Sequence, residues 1–237
     1  MNILDCVTYF DEDIILDLRL NILKDHVTKF IITEGMYDHR GNKRKLNFDI
    51  NKYSEYKNQI IYLPVENFPN LSDPWNMLEY QRNYSMNEIE KFDDETLILI
   101  SDVDEIPNPN KIKEFLETKS KYGVFEQLFF YYKFDLLYDR MKWHGTKACK
   151  KKKFRSFTSL RNMKNKEYPF WRLDTFFSDI KHIDVKIIKN GGWHFTNLKT
   201  PEQLFEKLSN FGHHDEFELS NITVEQLKEK MSKKEVF

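Results

Sequence analysis

The stretch ILISDVDEIPNP, residues 98–109, places three acidic residues directly after an apolar run. The apolar residues 97–100 have the length and composition of a buried strand, and Asp102, Asp104 and Glu105 follow where that strand would end. Strand side chains repeat every two residues, so Asp102 and Asp104 project to the same side if the backbone stays extended. Like charges this close repel each other unless a cation lies between them, and carboxylate oxygens suit Mg²⁺ or Mn²⁺. The stretch therefore predicts a divalent metal site beyond the end of a strand.

A simpler interpretation of the same acidic cluster stays open. Acidic residues are common in loops, so Asp102 can cap a turn while Asp104 and Glu105 are solvated and Pro107 ends the segment. The position after an apolar strand favours the metal site, but the pattern alone does not name a reaction.

Before the acidic cluster, short apolar runs alternate with helical patterns. The predicted strands cover residues 3–10, 30–33, 60–63 and 96–101, and the predicted helices cover residues 13–24, 73–91 and 109–119. This alternation predicts an α/β fold with a mostly parallel central sheet flanked by helices. In such sheets ligands bind beyond the carboxyl ends of the strands, which is where the acidic cluster falls.

After the acidic cluster the pattern becomes mixed. An aromatic-rich run at 123–138 and shorter runs at 154–160 and 185–188 are predicted as strands. Two late helices begin with capping boxes at Thr200 and Thr223. No linker-like segment interrupts the chain, so we expect a single domain spanning residues 1–237.

Composition and charge exclude several classes of protein. The chain has 237 residues, 40% of them hydrophobic, with 20 Phe, 12 Tyr and 4 Trp against 7 Gly and 7 Pro. This composition favours a folded core over disorder or a fibrous repeat. The formal net charge of −1 does not indicate a nucleic-acid partner. Positive charge is instead local, because residues 142–166 contain ten Lys or Arg and no acid.

Cysteine content and the first residues of the chain favour an intracellular protein. Cys6 and Cys149 are too few for a disulfide framework or a zinc site. Residues 1–13 carry four acids and no Lys or Arg, unlike a signal peptide, and no stretch approaches the roughly 18 apolar residues that span a bilayer. We therefore expect a soluble cytoplasmic protein with no signal peptide, transmembrane segment or membrane anchor.

Four separated stretches carry a resemblance to a known family. They are DCVTYFDEDIILDLRLNIL from residue 5, FIITEGMYDHRGNKRKLNF from residue 30, WNMLEYQRN from residue 75 leading to ISDVDEIP, and GGWHFTNLKTPEQLFEKLSNFGHHDEF from residue 191. Together they resemble glycosyltransferase family 17, which contains the β-1,4-mannosyl-glycoprotein β-1,4-N-acetylglucosaminyltransferases. The resemblance implies a GT-A-like fold, in which residues 1–120 bind a nucleotide sugar and residues 121–237 hold the acceptor.

The resemblance gives the acidic cluster a chemical role. In GT-A glycosyltransferases the D-x-D binds a metal that bridges the diphosphate of the donor, so Asp102 and Asp104 become ligands of Mn²⁺ or Mg²⁺, directly or through water. Glu105 is a catalytic candidate that orients the loop or contacts the sugar. His194, after Gly191-Gly192, is expected to project from a loop as a third metal ligand or as a donor to the diphosphate. The implied donor is a UDP-sugar, most simply UDP-N-acetylglucosamine.

Four further residues are candidates for binding the donor nucleotide. Glu34 ends the second predicted strand, where it can hold the ribose or base or simply be solvated. Tyr9 and Phe10 can border the base, although ordinary packing of two aromatic rings is the simpler explanation. Arg82 can reach a phosphate, or it can pair with Glu79 three positions earlier on the same helix face.

The resemblance also implies inversion at the anomeric carbon, and inversion requires a base. One carboxylate must take the proton of the acceptor hydroxyl while the diphosphate leaves. Glu126, Asp174 and Asp179 lie between the D-x-D and the His194 motif. We predict Asp174 as the base, and its alternative role is a helix cap or a salt bridge.

Two further features have several possible roles. The basic run Lys150–Lys153 with Arg155 suits a flap over phosphates, a docking surface for an anionic acceptor, or a solvated face. Trp143 and Trp171 offer flat surfaces to a sugar ring, or they pack in the core or at its rim.

The sequence therefore predicts a metal-dependent inverting glycosyltransferase that moves a sugar from a UDP-sugar to a hydroxyl of a glycan or related acceptor. Two other classes stay open, a metal-dependent phosphohydrolase with the same paired carboxylates and a non-catalytic carbohydrate-binding protein. The sequence gives neither the acceptor nor the oligomeric state.

Overall fold

The computed structural model describes residues 1–38, 40–210, 217 and 221–235. The strands are β1 (Ile3–Tyr9), β2 (Lys29–Gly35), β3 (Ile60–Val65), β4 (Leu97–Asp102), β5 (Glu105–Pro107), β6 (Tyr122–Tyr131), β7 (Trp143–Lys150), β8 (Val185–Ile188) and β9 (Gly192–Thr196). The helices are α1 (Asp13–Leu23), α2 (Pro74–Asn83), α3 (Met86–Ile89), α4 (Pro109–Glu117), α5 (Phe157–Asn162), α6 (Pro201–Asn210) and α7 (Val224–Lys233), with 3-10 helices at Ile50–Tyr56, Lys151–Lys153 and Leu173–Thr175. Across these described residues, one sheet has the strand order β3-β2-β1-β4-β7-β6-β9-β5, and β8 pairs with β6 beside this path.

The first half of the sheet is parallel, and its strands β2, β1 and β4 are mostly buried. β3, β2, β1 and β4 are neighbours, and each pair runs parallel. Along β4, Leu97 and Leu99 pack into one core while Ile98 and Ile100 pack into another. Burial on both faces explains why this strand is an uninterrupted apolar run. The strands predicted in the first half of the chain are therefore confirmed.

The order of the parallel strands reverses beside β1. β2 and β3 follow on one side of β1, and β4 returns to its other side. Open α/β sheets bind ligands at such a switch point, beyond the carboxyl ends of the strands. The fold therefore directs attention to the residues that follow β1 and β4.

The second half of the sheet is mixed. β7 runs antiparallel to both β4 and β6, whereas β8 and β9 run parallel to β6. Pairing of β4 with β7 joins both halves of the chain in one sheet. The predicted α/β fold, with a mostly parallel central sheet flanked by helices and a mixed second half, is confirmed.

Local structure differs from the sequence prediction at several places. Residues 154–160, predicted as a strand, instead lead into α5, whose N-cap Ser156 accepts a hydrogen bond from the Ser159 N–H at 2.9 Å. The single helix predicted for residues 73–91 is divided into α2 and α3. His194 lies in β9 and not in a loop. β5 and β7 were not predicted, because β5 has three residues and β7 mixes polar with apolar residues.

Two features bear on the environment of the protein. Within the described ranges, no helix is both long enough and apolar enough to cross a membrane. Cys6 and Cys149 are buried and unpaired. Burial raises the pKa of the Cys149 thiol to about 12, so this cysteine is a core residue and not a reactive thiolate.

Candidate functional site

A buried arginine fixes the backbone of the acidic segment. Arg19, in α1, is completely buried and pairs with Asp5 of β1 through hydrogen bonds of 2.6 and 2.7 Å. Its Nη1 donates to the carbonyl oxygens of Asp102, Val103 and Glu105, at 3.3, 3.2 and 2.9 Å. The chain therefore turns at Val103 instead of staying extended, which corrects the expectation that Asp102 and Asp104 simply alternate along one strand.

Two arginines bind the carboxylate of Asp102. Arg82 of α2 donates to its Oδ1 at 2.8 Å, and Arg161 of α5 donates to its Oδ2 at 2.8 Å. Partial burial alone would raise the pKa of Asp102, but the positive charges of Arg161 and Arg82 hold this pKa well below its usual range. Asp102 is therefore ionised at neutral pH, and Arg82 pairs with it and not with Glu79.

Glu105 is a structural carboxylate in the centre of the site. Its side chain is fully buried, and Arg161 binds it with two hydrogen bonds, at 2.5 and 2.8 Å. The indole Nε1 of Trp143 donates to Oε1 at 2.8 Å, and the Asp102 N–H donates to Oε2 at 2.9 Å. Both oxygens are thus occupied by donors, so Glu105 orients the loop in this arrangement.

Asp104 and His194 form a second pair of polar side chains in the site. The His194 Nε2 lies 3.4 Å from the Asp104 Oδ2. The imidazole stacks on Trp143 with a centroid distance of 4.4 Å, and its Nδ1 is buried without a hydrogen-bond partner in the described structure. Burial opposes ionisation of Asp104, but His194 and Lys207 of α6 keep the pKa of Asp104 below its usual value.

The spacing of Asp104 and His194 fits a divalent cation. Two ligand atoms, each about 2.1 Å from one ion, lie about 3.0–3.4 Å apart at angles between octahedral and tetrahedral. The 3.4 Å separation of Asp104 Oδ2 and His194 Nε2 agrees with this geometry. Asp102 does not complete the set as arranged, because guanidinium groups occupy both its oxygens. Among the residues that the structure describes, no three His, Cys, Asp or Glu side chains converge into a ready-made metal site.

The Gly191-Gly192 pair permits the close backbone approach that brings His194 into the site. Gly192 has φ +140°, and a Cβ on it would lie 2.1 Å from the Ile106 carbonyl oxygen. β5 pairs antiparallel with β9, with Glu105 opposite His194. Because only glycine fits here, the acidic segment and the histidine strand can pair directly.

The predicted nucleotide-binding residues at the ends of β1 and β2 have internal partners. Glu34 is completely buried, and its oxygens accept hydrogen bonds from the Arg44 side chain, the Tyr62 hydroxyl and two backbone N–H groups. Tyr9 is buried and donates to Asp13 at 2.5 Å. Phe10 is 37% exposed and stacks against the Arg44 guanidinium at 3.9 Å. Of these candidates, Phe10 offers a surface to a ligand, while Tyr9 and Glu34 shape the adjoining loop.

The three candidate bases have partners other than Arg82 and Arg161. Asp174 is in the 3-10 helix Leu173–Thr175, and hydrogen bonds from Arg172 and Lys181 lower its pKa to about 2. Asp179 is exposed and lies 3.5 Å from Arg155. Glu126, on β6, lies 3.5 Å from Lys142 and 3.8 Å from His144. In the described parts of the chain, none of these contacts involves Asp102, Asp104 or His194, and the identity of the base stays a prediction.

The basic run lies at the opposite end of β4 from the acidic segment. Leu97 at the start of β4 pairs with Lys150, and both line a cavity of about 370 Å³ with further lysines. Lys150 pairs with Glu95 at 2.7 Å, and Lys152 pairs with the same carboxylate. This position does not fit a flap over donor phosphates at Asp104.

Sequence reasoning missed the residues that assemble the site. Arg161 joins Asp102 and Glu105 across 59 and 56 positions of sequence. Arg19 lies in a stretch that is predicted from the sequence as an amphipathic helix, without a role for this residue. A charged residue within the apolar face of a helix indicates a buried ion pair. Trp143, for which the sequence leaves open a sugar platform or packing at the core, stacks on Phe129 and His194 and donates to Glu105.

Comparisons with known proteins give a family and several distant structural likenesses. A family model described as glycosyltransferase family 17 matches residues 1–234. No curated protein matches the chain. Residues 211–216, at the end of the fourth resembling stretch, and His39, in the second, lie outside the described residues.

The structural likenesses are weak. S. aureus TarS 1-349 has a TM-score of 0.47 and 11% identity over 87% of this chain, which spans 63% of that protein. The inositol-1-phosphate CTP transferase from T. maritima has a TM-score of 0.40 and 15% identity, covering 88% of this chain and 96% of that one. Galactosyltransferase LgtC, in complex with donor and acceptor sugar analogues, has a TM-score of 0.34 and 12% identity, covering 65% and 59%. All three scores are low, and no substrate or mechanism is inferred from them.

The family match covers nearly the whole chain and confirms the resemblance carried by the four stretches. The chain belongs to glycosyltransferase family 17.

Proposed function

We propose that this protein is a GT-A-like glycosyltransferase that moves a sugar, N-acetylglucosamine in the simplest case, from a UDP-sugar to a hydroxyl of a glycan or related acceptor. The observation that carries the proposal is the Asp104–His194 pair, 3.4 Å apart, beyond the carboxyl end of β4. Family membership supports the reaction class, and the strand order supports a ligand crevice at this position.

The site has the charge that a departing nucleoside diphosphate requires. Asp104 and His194 would hold Mn²⁺ or Mg²⁺, which when bound neutralises the negative charge that grows on the leaving diphosphate. Arg82 and Arg161 lie beside this position, and their planar guanidinium groups suit phosphate oxygens. Arg82 and Arg161 each donate to one oxygen of Asp102. Asp102 would join the metal ligands only where the diphosphate replaced it as the partner of one arginine.

The remaining residues act by placing these groups. Glu105 and Arg19 are positioning residues, because they contact the loop and not the crevice. Phe10 borders the donor base, with Tyr9 and Glu34 supporting the loop behind it. An acceptor in the second half of the chain would lie opposite the donor held by the first half.

Inversion requires a base, and we retain Asp174 for this role. A carboxylate with a pKa of about 2 is a weak base, since the optimum lies near the working pH. Base function therefore requires that the bound acceptor separates Asp174 from Arg172 and Lys181. We also propose a cytoplasmic location, which the two unpaired buried cysteines support.

Release of nucleoside diphosphate tests the proposed function. Purified protein with Mn²⁺ is incubated with a panel of nucleotide sugars, and UDP-N-acetylglucosamine is expected to give UDP. The Asp104→Asn variant is expected to lose about 100-fold or more of this activity, as for removal of one transition-state electrostatic contact. Asp25→Asn, on the exposed turn after α1, is the matched control and should keep full activity. Absence of binding or turnover with every donor would refute the assignment.

A further inference from the structure

The loop between α5 and β8 exposes an unusual set of large apolar side chains. We call residues 168–180 the aromatic loop. Its exposed side chains are Phe170 at 77%, Trp171 at 69%, Leu173 at 72%, Phe176 at 66% and Phe177 at 92%. Isolated exposed apolar residues are ordinary, but a contiguous group marks a surface that contacts another apolar phase.

When no acceptor is bound, cations of the protein pair with the carboxylates of the aromatic loop. Asp174 accepts hydrogen bonds from Arg172 at 2.7 Å and from Lys181 at 2.8 Å. Asp179 lies 3.5 Å from Arg155. The positive partners offset the negative charge that would repel an anionic surface.

Unpaired cations flank the same loop. The Lys164 N–H donates to the Ile180 carbonyl at 2.7 Å, and the Lys166 ammonium lies 5.7 Å from the centre of the Tyr168 ring. In the described parts of the chain, no carboxylate pairs with Lys164 or Lys166, and both are exposed. The loop therefore combines protruding aromatic rings with adjacent uncompensated positive charge.

We propose that the aromatic loop docks the protein on an anionic lipid bilayer. Phe, Trp and Leu side chains enter the boundary between headgroups and acyl chains, and neighbouring lysines are attracted to anionic headgroups. A bilayer matches both features, because its acyl boundary accepts aromatic side chains and its anionic headgroups attract Lys164 and Lys166. The aromatic loop follows α5, which carries Arg161, in the chain.

Vesicle co-sedimentation tests this docking without any need for catalytic activity. The full chain is mixed with vesicles of equimolar phosphatidylcholine and phosphatidylglycerol, or of phosphatidylcholine alone. Wild-type protein should sediment with the anionic vesicles. The double variant Trp171→Ser/Phe177→Ser should bind these vesicles at least about tenfold more weakly. Transfer of a single large apolar side chain out of water already contributes about this factor to the affinity. The matched control Ile14→Ser/Trp75→Ser, at side chains 70% and 52% exposed elsewhere, should bind like the wild type.

Two further variants separate insertion from mere charge attraction. Lys164→Gln/Lys166→Gln should weaken binding to anionic vesicles several-fold. Its binding to neutral vesicles should equal that of the wild type. Trp171→Phe should keep binding but lose most of the fluorescence quenching by bromine-labelled lipid. Circular dichroism confirms that each variant is folded.

Three results would overturn the docking proposal. They are wild-type protein that stays in the supernatant with anionic vesicles, equal binding by the loop variant and its control, and a dimer that the loop variant converts to a monomer without any vesicle binding. The last result would show that a second copy of the chain covers the loop.

Discussion

Replacement of Arg161 by methionine tests how the site is held together. Arg161 makes two hydrogen bonds to Glu105 and one to Asp102, and its own side chain is only 16% exposed. Methionine keeps most of the volume but removes the charge, so the completely buried Glu105 carboxylate loses its cationic partner.

The structure sets the size of the expected loss. Breaking a buried ion pair by removing one partner costs about 3–5 kcal/mol of unfolding free energy. The Glu105 carboxylate keeps hydrogen bonds from Trp143 and the Asp102 N–H, which favours the lower end, about 3 kcal/mol. Asp102 adds little, because its side chain is 34% exposed and solvent screens it.

Urea unfolding followed by tryptophan fluorescence measures this change. With a slope of about 3 kcal/mol per molar urea, the midpoint of Arg161→Met should fall by about 1 M. Arg155→Met is the control, since Arg155 is 66% exposed and its change should stay within about 0.5 kcal/mol. Adding Glu105→Gln to Arg161→Met should recover part of the loss by removing the stranded charge. Equal midpoints for Arg161→Met and the control would refute the reasoning.

Three further predictions concern the pair, the glycine and a buried lysine. His194→Gln should lower the rate of nucleoside diphosphate release about 100-fold and change the free energy of unfolding by less than about 1 kcal/mol. A normal rate would contradict the role of this imidazole. Gly192→Ala should cost more than about 1 kcal/mol and also impair catalysis, because the new Cβ meets the Ile106 carbonyl; calorimetric unfolding checks it, and an unchanged melting temperature would be inconsistent. Burial lowers the pKa of Lys147 to about 7, below its usual value, so the folded state binds fewer protons than the unfolded state above pH 7. Stability relative to Lys147→Met should therefore rise between pH 7 and pH 8.5, with a slope of at most about 1.4 kcal/mol per pH unit, and parallel stability curves would disprove it.

The fold could be predicted from the sequence where both faces of a strand are buried. Residues 97–100 of β4 are all apolar because both faces of the strand are covered, and this pattern is typical of a buried strand. The short or polar strands carry no such signal. β7 buries Thr146 and Lys147, so its pattern departs from both the alternating and the continuous apolar types.

The site was only partly predictable. Asp104 and His194 do come together, because β5 pairs with β9, but only the two glycines in the sequence hint at that pairing. Arg161, which bridges Asp102 and Glu105, lies just after the segment predicted as a strand at residues 154–160, and its partners are more than fifty positions away. Such contacts depend on tertiary structure, and neither periodicity nor local propensity encodes them.

Anomalous diffraction from crystals grown with Mn²⁺ and UDP tests the central claim most directly. We expect a manganese peak at coordination distance from both the Asp104 carboxylate and the His194 Nε2, with the UDP diphosphate on its other side. Crystals in which UDP is bound but the manganese is absent, or lies against other residues, would contradict it.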